Sequence, residues 1–134
     1  MKPALAGALA ALTWAAAEPL DRRLLRNDYS DVAMLGKLVT RSRVWPLAGL
    51  AIHAANGAAF GVAYEQLRRR TRISPLQLAL VEHTLLFPLT YLVDRAHPAR
   101  GTSGLAPSFT ARGFVQETAR HTLFGAVLGR LTRR

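Results

Sequence analysis

The sequence predicts an all-α fold, a four-helix integral membrane bundle forming one domain over residues 1–134, and three observations carry that expectation. Val44 to Tyr64 contains no Asp, Glu, Lys or Arg, and about 20 such residues cross a bilayer core. Ile73 to Val93 repeats the pattern with Glu82 as its only formal charge. Arginines gather between the apolar stretches rather than along one helix face. A 50% hydrophobic content argues against a disordered chain. The balance of 18 Lys+Arg against 8 Asp+Glu gives a formal charge of +10, which attracts either nucleic acid or a membrane surface. Placement decides between them: basic residues at span ends act as snorkelling anchors and loop charges. The expected partner is therefore the lipid bilayer, with no nucleic acid. Cysteine is absent, which removes disulfides, thiolate metal sites and cysteine nucleophiles.

Four helices follow in order, over about 3–20, 44–66, 74–93 and 111–131, with a short interfacial helix over about 31–40. The first is alanine-rich, and the last contains Glu117 and Arg120. Pro3, Pro46 and Pro75 stand at first turns, where a missing N–H costs little. Ser74 and Gln77 have the spacing of a capping box. Pro88 removes a backbone hydrogen bond and should bend the third helix. Ser30 and Asp31 cap the short helix, whose Val32, Leu35, Leu38 and Val39 share one face suited to an interface. Residues 96–112 are rich in Pro, Gly, Ser and Thr and read as a loop, with His97 on its surface. The first 17 residues also imitate a cleaved leader, with Lys2, an apolar run and Ala15 to Ala17. A single lysine makes a thin basic region, so they are read here as the first helix. Basic residues divide almost evenly between the two sides, and the dense Arg68, Arg69, Arg70 and Arg72 turn places both termini in the cytoplasm.

A repeat relates the second and fourth helices. His53, Gly57 and Gly61 recur as His121, Gly125 and Gly129, each set at four-residue spacing on one helix face. The echo suggests two helical hairpins related by a pseudo-twofold axis, with the glycines as sites of close helix packing. Oligomerisation between copies is expected from the surplus of Gly- and Ala-rich faces.

His53 and His121 each fall roughly 12 Å below the same rim, and His83 roughly 15 Å. Glu117 stands one turn above His121, and Glu18 ends the first helix at that rim. Ionisable groups inside a bilayer face the bundle or a wet cavity and find partners there. Glu18 continues the small stripe Ala4, Ala8, Ala11 and Ala15, which marks an inward face. Asn56 shares the face of His53, Glu82 neighbours His83, and Arg120 is expected to pair with Glu117 or Glu82. Trp14, Trp45 and Tyr64 read as interface anchors or packing residues.

Three readings fit the cluster of His53, His83, His121, Glu117 and Glu18. Proton sensing or relay suits imidazoles that titrate near physiological pH. A transition metal suits imidazole with carboxylate, and a haem between His53 and His121 is a variant. The third reading is interhelical hydrogen bonding alone, in a structural or assembly subunit without chemistry. No phosphate loop, zinc-protease helix motif or serine triad is present, so no enzymatic reaction is indicated.

Several fragments resemble the YagU-like inner-membrane proteins, an uncharacterised bacterial family linked to survival in acid. They are Ala6-Gly7 leading to Trp14 and Glu18-Pro19-Leu20, His53 with Phe60 to Tyr64, His83 to Leu89, and Glu117 with His121 before a basic tail. The resemblance implies a small bundle in the bacterial inner membrane whose three histidines and two glutamates belong to a shared pattern. Asp21 departs from it, standing where the family tends to have proline.

Overall fold

The computed structural model describes residues 1–133, and the described residues are all-helical apart from one isolated antiparallel bridge between Tyr29 and Leu105. The helices are α1 (Pro3–Leu25), α2 (Asp31–Val39), α3 (Trp45–Arg68), α4 (Pro75–Leu86), α5 (Thr90–Ala96) and α6 (Ala111–Thr132). A 3₁₀ turn over Phe87–Leu89 joins α4 to α5 at Pro88, where the ring cannot donate to the α-helical ladder. Two of these units, Trp45–Arg68 and Pro75–Ala96, are long and apolar enough to cross a membrane.

The helix starts follow local chemistry. Proline occupies the first turns of α1, α3 and α4. Ser74 and Gln77 form the reciprocal capping box. Ser30 accepts from the Ala33 N–H at the start of α2, and Thr110 accepts from the Gly113 N–H at the start of α6. α1 runs five residues beyond the expected end, through Pro19 to Leu25. The apolar pattern stops at Leu20, but the backbone ladder needs no apolar side chain, and Arg22 and Arg23 suit the negative end of the helix. Arg26 terminates it in the left-handed region, at φ 50°.

The closely packed pairs are α1 with α3, α1 with α6, α4 with α6, and α2 with α3. α3 and α4 are not among them, so the four long units form an open row, α3–α1–α6–α4, rather than a closed ring. Contact between α1 and α3 is made backbone to backbone: a Cβ on Gly7 would strike the Gly57 carbonyl, and one on Gly61 would strike that of Pro3. Gly125 lies equally tight against the Leu76 backbone of α4. Gly129 meets only the Pro75 ring, at an ordinary 3.6 Å from a built Cβ.

The inner stripe of α1 is Ala6, Gly7, Ala10, Ala11, Trp14 and Glu18. It is rotated from the expected Ala4, Ala8, Ala11 and Ala15 stripe, because Trp14 needs the interior and carries the small residues beside it inward. In α2, Val32 and Gly36 pack on the α3 backbone at Gly49 and Trp45, buried Ala33 faces Gly104 of the loop before α6, and Leu38 and Val39 turn outward. The core is small, built on alanines with Trp14, Tyr64, Phe124 and Leu128. Many large apolar side chains, among them Leu24, Leu47 and Leu85, point out of the molecule.

Candidate functional site

One end of the row carries nearly all the buried charge. Arg120 projects from α6 and is only 2% exposed, so its guanidinium must find every partner within the protein. Its Nε and Nη2 donate to the two oxygens of Asp21, at 2.6 and 2.8 Å. Nη1 donates to Asp31 Oδ2 at 2.7 Å and Glu117 Oε1 at 3.0 Å. Nη2 also donates to the Tyr29 carbonyl at 2.9 Å. Five donors thus meet five acceptors, and the fork on Asp21 is bidentate, the geometry at which arginine is strongest. The expected pairing with Glu117 is present, whereas Glu82 pairs with His121 instead.

A second layer holds these acids in place. Glu18 lies 4.0 Å from Arg120 Nη1 and accepts from the Asp31 N–H at 2.9 Å and from the Ser30 hydroxyl. It therefore caps α2, placing a carboxylate at the positive end of that helix. Gln116, fully buried, donates to Asp21 at 2.7 Å and accepts from Asn27 at 2.7 Å. Trp14 Nε1 donates to Asp31 at 3.1 Å. Burial pushes the Tyr29 hydroxyl well above its usual range, so it remains protonated and faces Asp31.

The histidines extend from this hub as a chain of rings. Trp14 packs edgewise on His53, with centroids 5.1 Å apart, and on His121, at 4.6 Å. His121 stacks on His83 at 4.7 Å. The three imidazoles therefore gather in one region, with the Trp14 indole in contact with both His53 and His121. His83 Nε2 lies 2.9 Å from the Thr118 hydroxyl, which already donates to the Phe114 carbonyl. That hydroxyl can only accept, so His83 carries its proton on Nε2. His121 Nδ1 donates to the Glu117 carbonyl at 2.7 Å, and its Nε2 faces Glu82 at 3.3 Å. A second proton on that ring would complete an ion pair. His53 Nε2 is buried with no hydrogen-bond partner.

A cavity of about 270 Å³ joins these groups. Asp31, His53, Asn56, Glu82, Glu117 and His121 supply polar atoms to its wall. Met34, Leu35, Phe60, Leu86 and Phe124 supply the apolar part. The cavity borders the seam between α3 and α4–α5, where close helix packing is missing.

His97 departs from its surface expectation. It is 6% exposed, accepting from the Ala99 N–H at Nδ1 and donating from Nε2 to the Met34 carbonyl at 2.9 Å. The 97–110 loop folds over α2 and uses this ring as a bracket. Asp28 fastens the same loop: the Gly104 N–H bonds to its carboxylate and holds it below the usual aspartate range, helped by Arg22.

Asp31 was expected only as a cap of the short helix and Asp21 only as a departure from the resembled family, and Asn27, Tyr29 and Gln116 were not singled out at all. The signal that could have found them is Arg120 itself, since five donors inside a helix row demand more than one glutamate. Among the described residues no three His, Asp or Glu side chains are grouped so as to hold a metal ion. No protein-family model matches the chain, and no curated protein or solved structure does.

Proposed function

We propose that this chain is a multi-pass membrane protein whose Arg120-centred hub and adjoining histidines bind and release protons in response to pH. One guanidinium neutralises one of the four acids Glu18, Asp21, Asp31 and Glu117, which converge on it from α1, α2 and α6. The balance has to come from protons or other cations, since several like charges cannot remain buried together cheaply. This excess of carboxylate over guanidinium is the observation that carries the reading. His53 from α3, Glu82 from α4 and His121 from α6 line the same space, and His83 of α4 stacks on His121, so that further proton-carrying side chains adjoin the hub.

In this reading Glu82, half-exposed at the rim, and His121, 3.3 Å from it, take protons from outside the hub. Water in the cavity then connects His121 with Glu117 and Asp31. Four membrane-crossing units, α1, α3, α4–α5 and α6, bring both termini to one side, here read as cytoplasmic. The outward leucines face lipid or a second copy of the chain. The resemblance to the YagU-like proteins and their link to acid survival fits a centre of this kind.

Reconstitution into vesicles holding a pH-sensitive dye tests it, with ring carbon shifts of the histidines followed by NMR in the same lipid. The expected result is protein-dependent proton entry that Glu82→Gln with His121→Asn greatly slows. At least one buried histidine should also titrate between about pH 4 and 9. Vesicles as tight as protein-free controls, with histidines that never titrate, would overturn the reading and leave a structural subunit.

A further inference from the structure

We propose that the cleft between α3 and α4–α5 binds a small amphipathic ammonium ion, its charge held by Asp31, Glu117 and Glu82 and its apolar part by the aromatic wall. This goes beyond proton handling and does not require it.

Four observations converge on that chemistry. The cavity is large enough for a small organic molecule, at about 270 Å³, and it opens at the seam where the helix row is not closed. Its polar wall is acidic: Asp31, Glu117 and Glu82 all line it. Arg120 is already saturated by five acceptors and has no donor left for an anionic ligand. His53, 7% exposed, lines the cavity, and its buried Nε2 has no hydrogen-bond partner. A buried nitrogen left unpaired is costly, and an ammonium N–H entering the cavity would satisfy it.

The rest of the lining selects the body of the ligand. Trp14, Phe60 and Phe124 form a continuous aromatic wall, with Phe60 and Phe124 in edge contact at 5.0 Å and Trp14 against Phe124 at 6.3 Å. Aromatic faces attract a cation once it leaves water. Met34, Leu35 and Leu86 add an aliphatic surface that suits a hydrocarbon tail. Carboxylates, an unpaired imidazole nitrogen and aromatic faces together recognise an N–H-bearing cation with an apolar body. Such a group comes either as a free amine or as the headgroup of an aminophospholipid.

The protein supplies its own reporter, because Trp14 lines the cavity and Trp45 is the second of only two tryptophans. In a Trp45→Phe background, emission is followed while 2-phenylethylammonium, neutral 2-phenylethanol or anionic 3-phenylpropanoate is added to protein in phosphatidylcholine vesicles. The ammonium should give a saturable change and bind about tenfold or more tighter than the alcohol, with no saturation by the anion. Glu82→Gln, at a half-exposed position and close in shape to the native side chain, should weaken the ammonium several-fold and leave the alcohol unchanged. His53→Leu should weaken it further where the variant folds. Adding phosphatidylethanolamine separates the sources: competition with the probe assigns the site to the lipid headgroup, and no competition assigns it to a free amine. Equal binding of ammonium and alcohol, or an unchanged ammonium titration in Glu82→Gln, overturns the proposal. Proton entry without ammonium selectivity would remove this inference alone, and selectivity without proton entry would remove only the proton reading.

Discussion

Between α1 and α6 the chain places a bidentate Arg120–Asp21 fork, a fully buried Gln116 and the tight aromatic stack around Trp14. On the opposite side, α3 and α4 leave a cavity whose apolar wall is leucine, methionine and phenylalanine. A pseudo-twofold relation between the α1–α3 and α4–α6 hairpins would make these two seams equivalent. They differ because the charged residues are not repeated: the places on α3 that correspond to Arg120 and Glu117 of α6 hold Ile52 and Gly49, and no counterpart charge. Shared glycine spacing builds two similar hairpins, and unshared charge then closes one seam and leaves the other open. The asymmetry turns a packing motif into a site.

The largest expected effect comes from removing the cation that closes the first seam. Arg120→Met should destabilise the protein by about 3–5 kcal/mol, since it strands buried carboxylates without their partner. Equilibrium unfolding in mixed micelles measures this, and a loss no larger than that of an exposed arginine variant would show that the hub contributes little. Gly57→Ala should cost about 1–3 kcal/mol by forcing α1 and α3 apart against Ala11 and the Gly7 carbonyl. Trp14→Phe removes the N–H donated to Asp31 and should cost about 1–2 kcal/mol while leaving the aromatic stack largely in place.

Smaller effects sharpen the comparison between the two glycine sets. Gly129→Ala meets only the Pro75 ring, so it should be neutral or gain up to about 1 kcal/mol from reduced chain entropy. Equal losses at Gly57 and Gly129 would restore the symmetry that the packing denies. The least effect is expected at Asp28. Its carboxyl is held low in the folded protein, so its contribution is present above the ordinary aspartate value and fades as pH falls below about 4. Asp28→Asn should therefore flatten the acid limb of the stability curve slightly, leaving neutral pH almost unchanged.

Much of the architecture could be read from the chain because its cues are local. Proline at first turns, the Ser74–Gln77 box and the break at Pro88 each act within one helical turn, and all appear where expected. The gathering of His53, His83 and His121 was legible from depth along each helix. What escaped was rotation and partnership. Trp14 turned α1 away from its small-residue stripe, and that preference for the interior is a property of the whole packing. Asp21 and Asp31 lie far along the chain from Arg120, so no spacing rule connects them. His97 was misplaced because a polar loop residue became the bracket between two segments that only the fold brings together.

The separation of Asp21 from Arg120 bears on how the protein is made. During synthesis the first helix emerges with two acids, Glu18 and Asp21, whose counter-ion belongs to a segment produced almost a hundred residues later. Until α6 arrives, those acids lack the guanidinium that holds them in the finished fold. The ribosome thus delivers the lock first and the key last, and the seam between α1 and α6 closes only when the last helix docks.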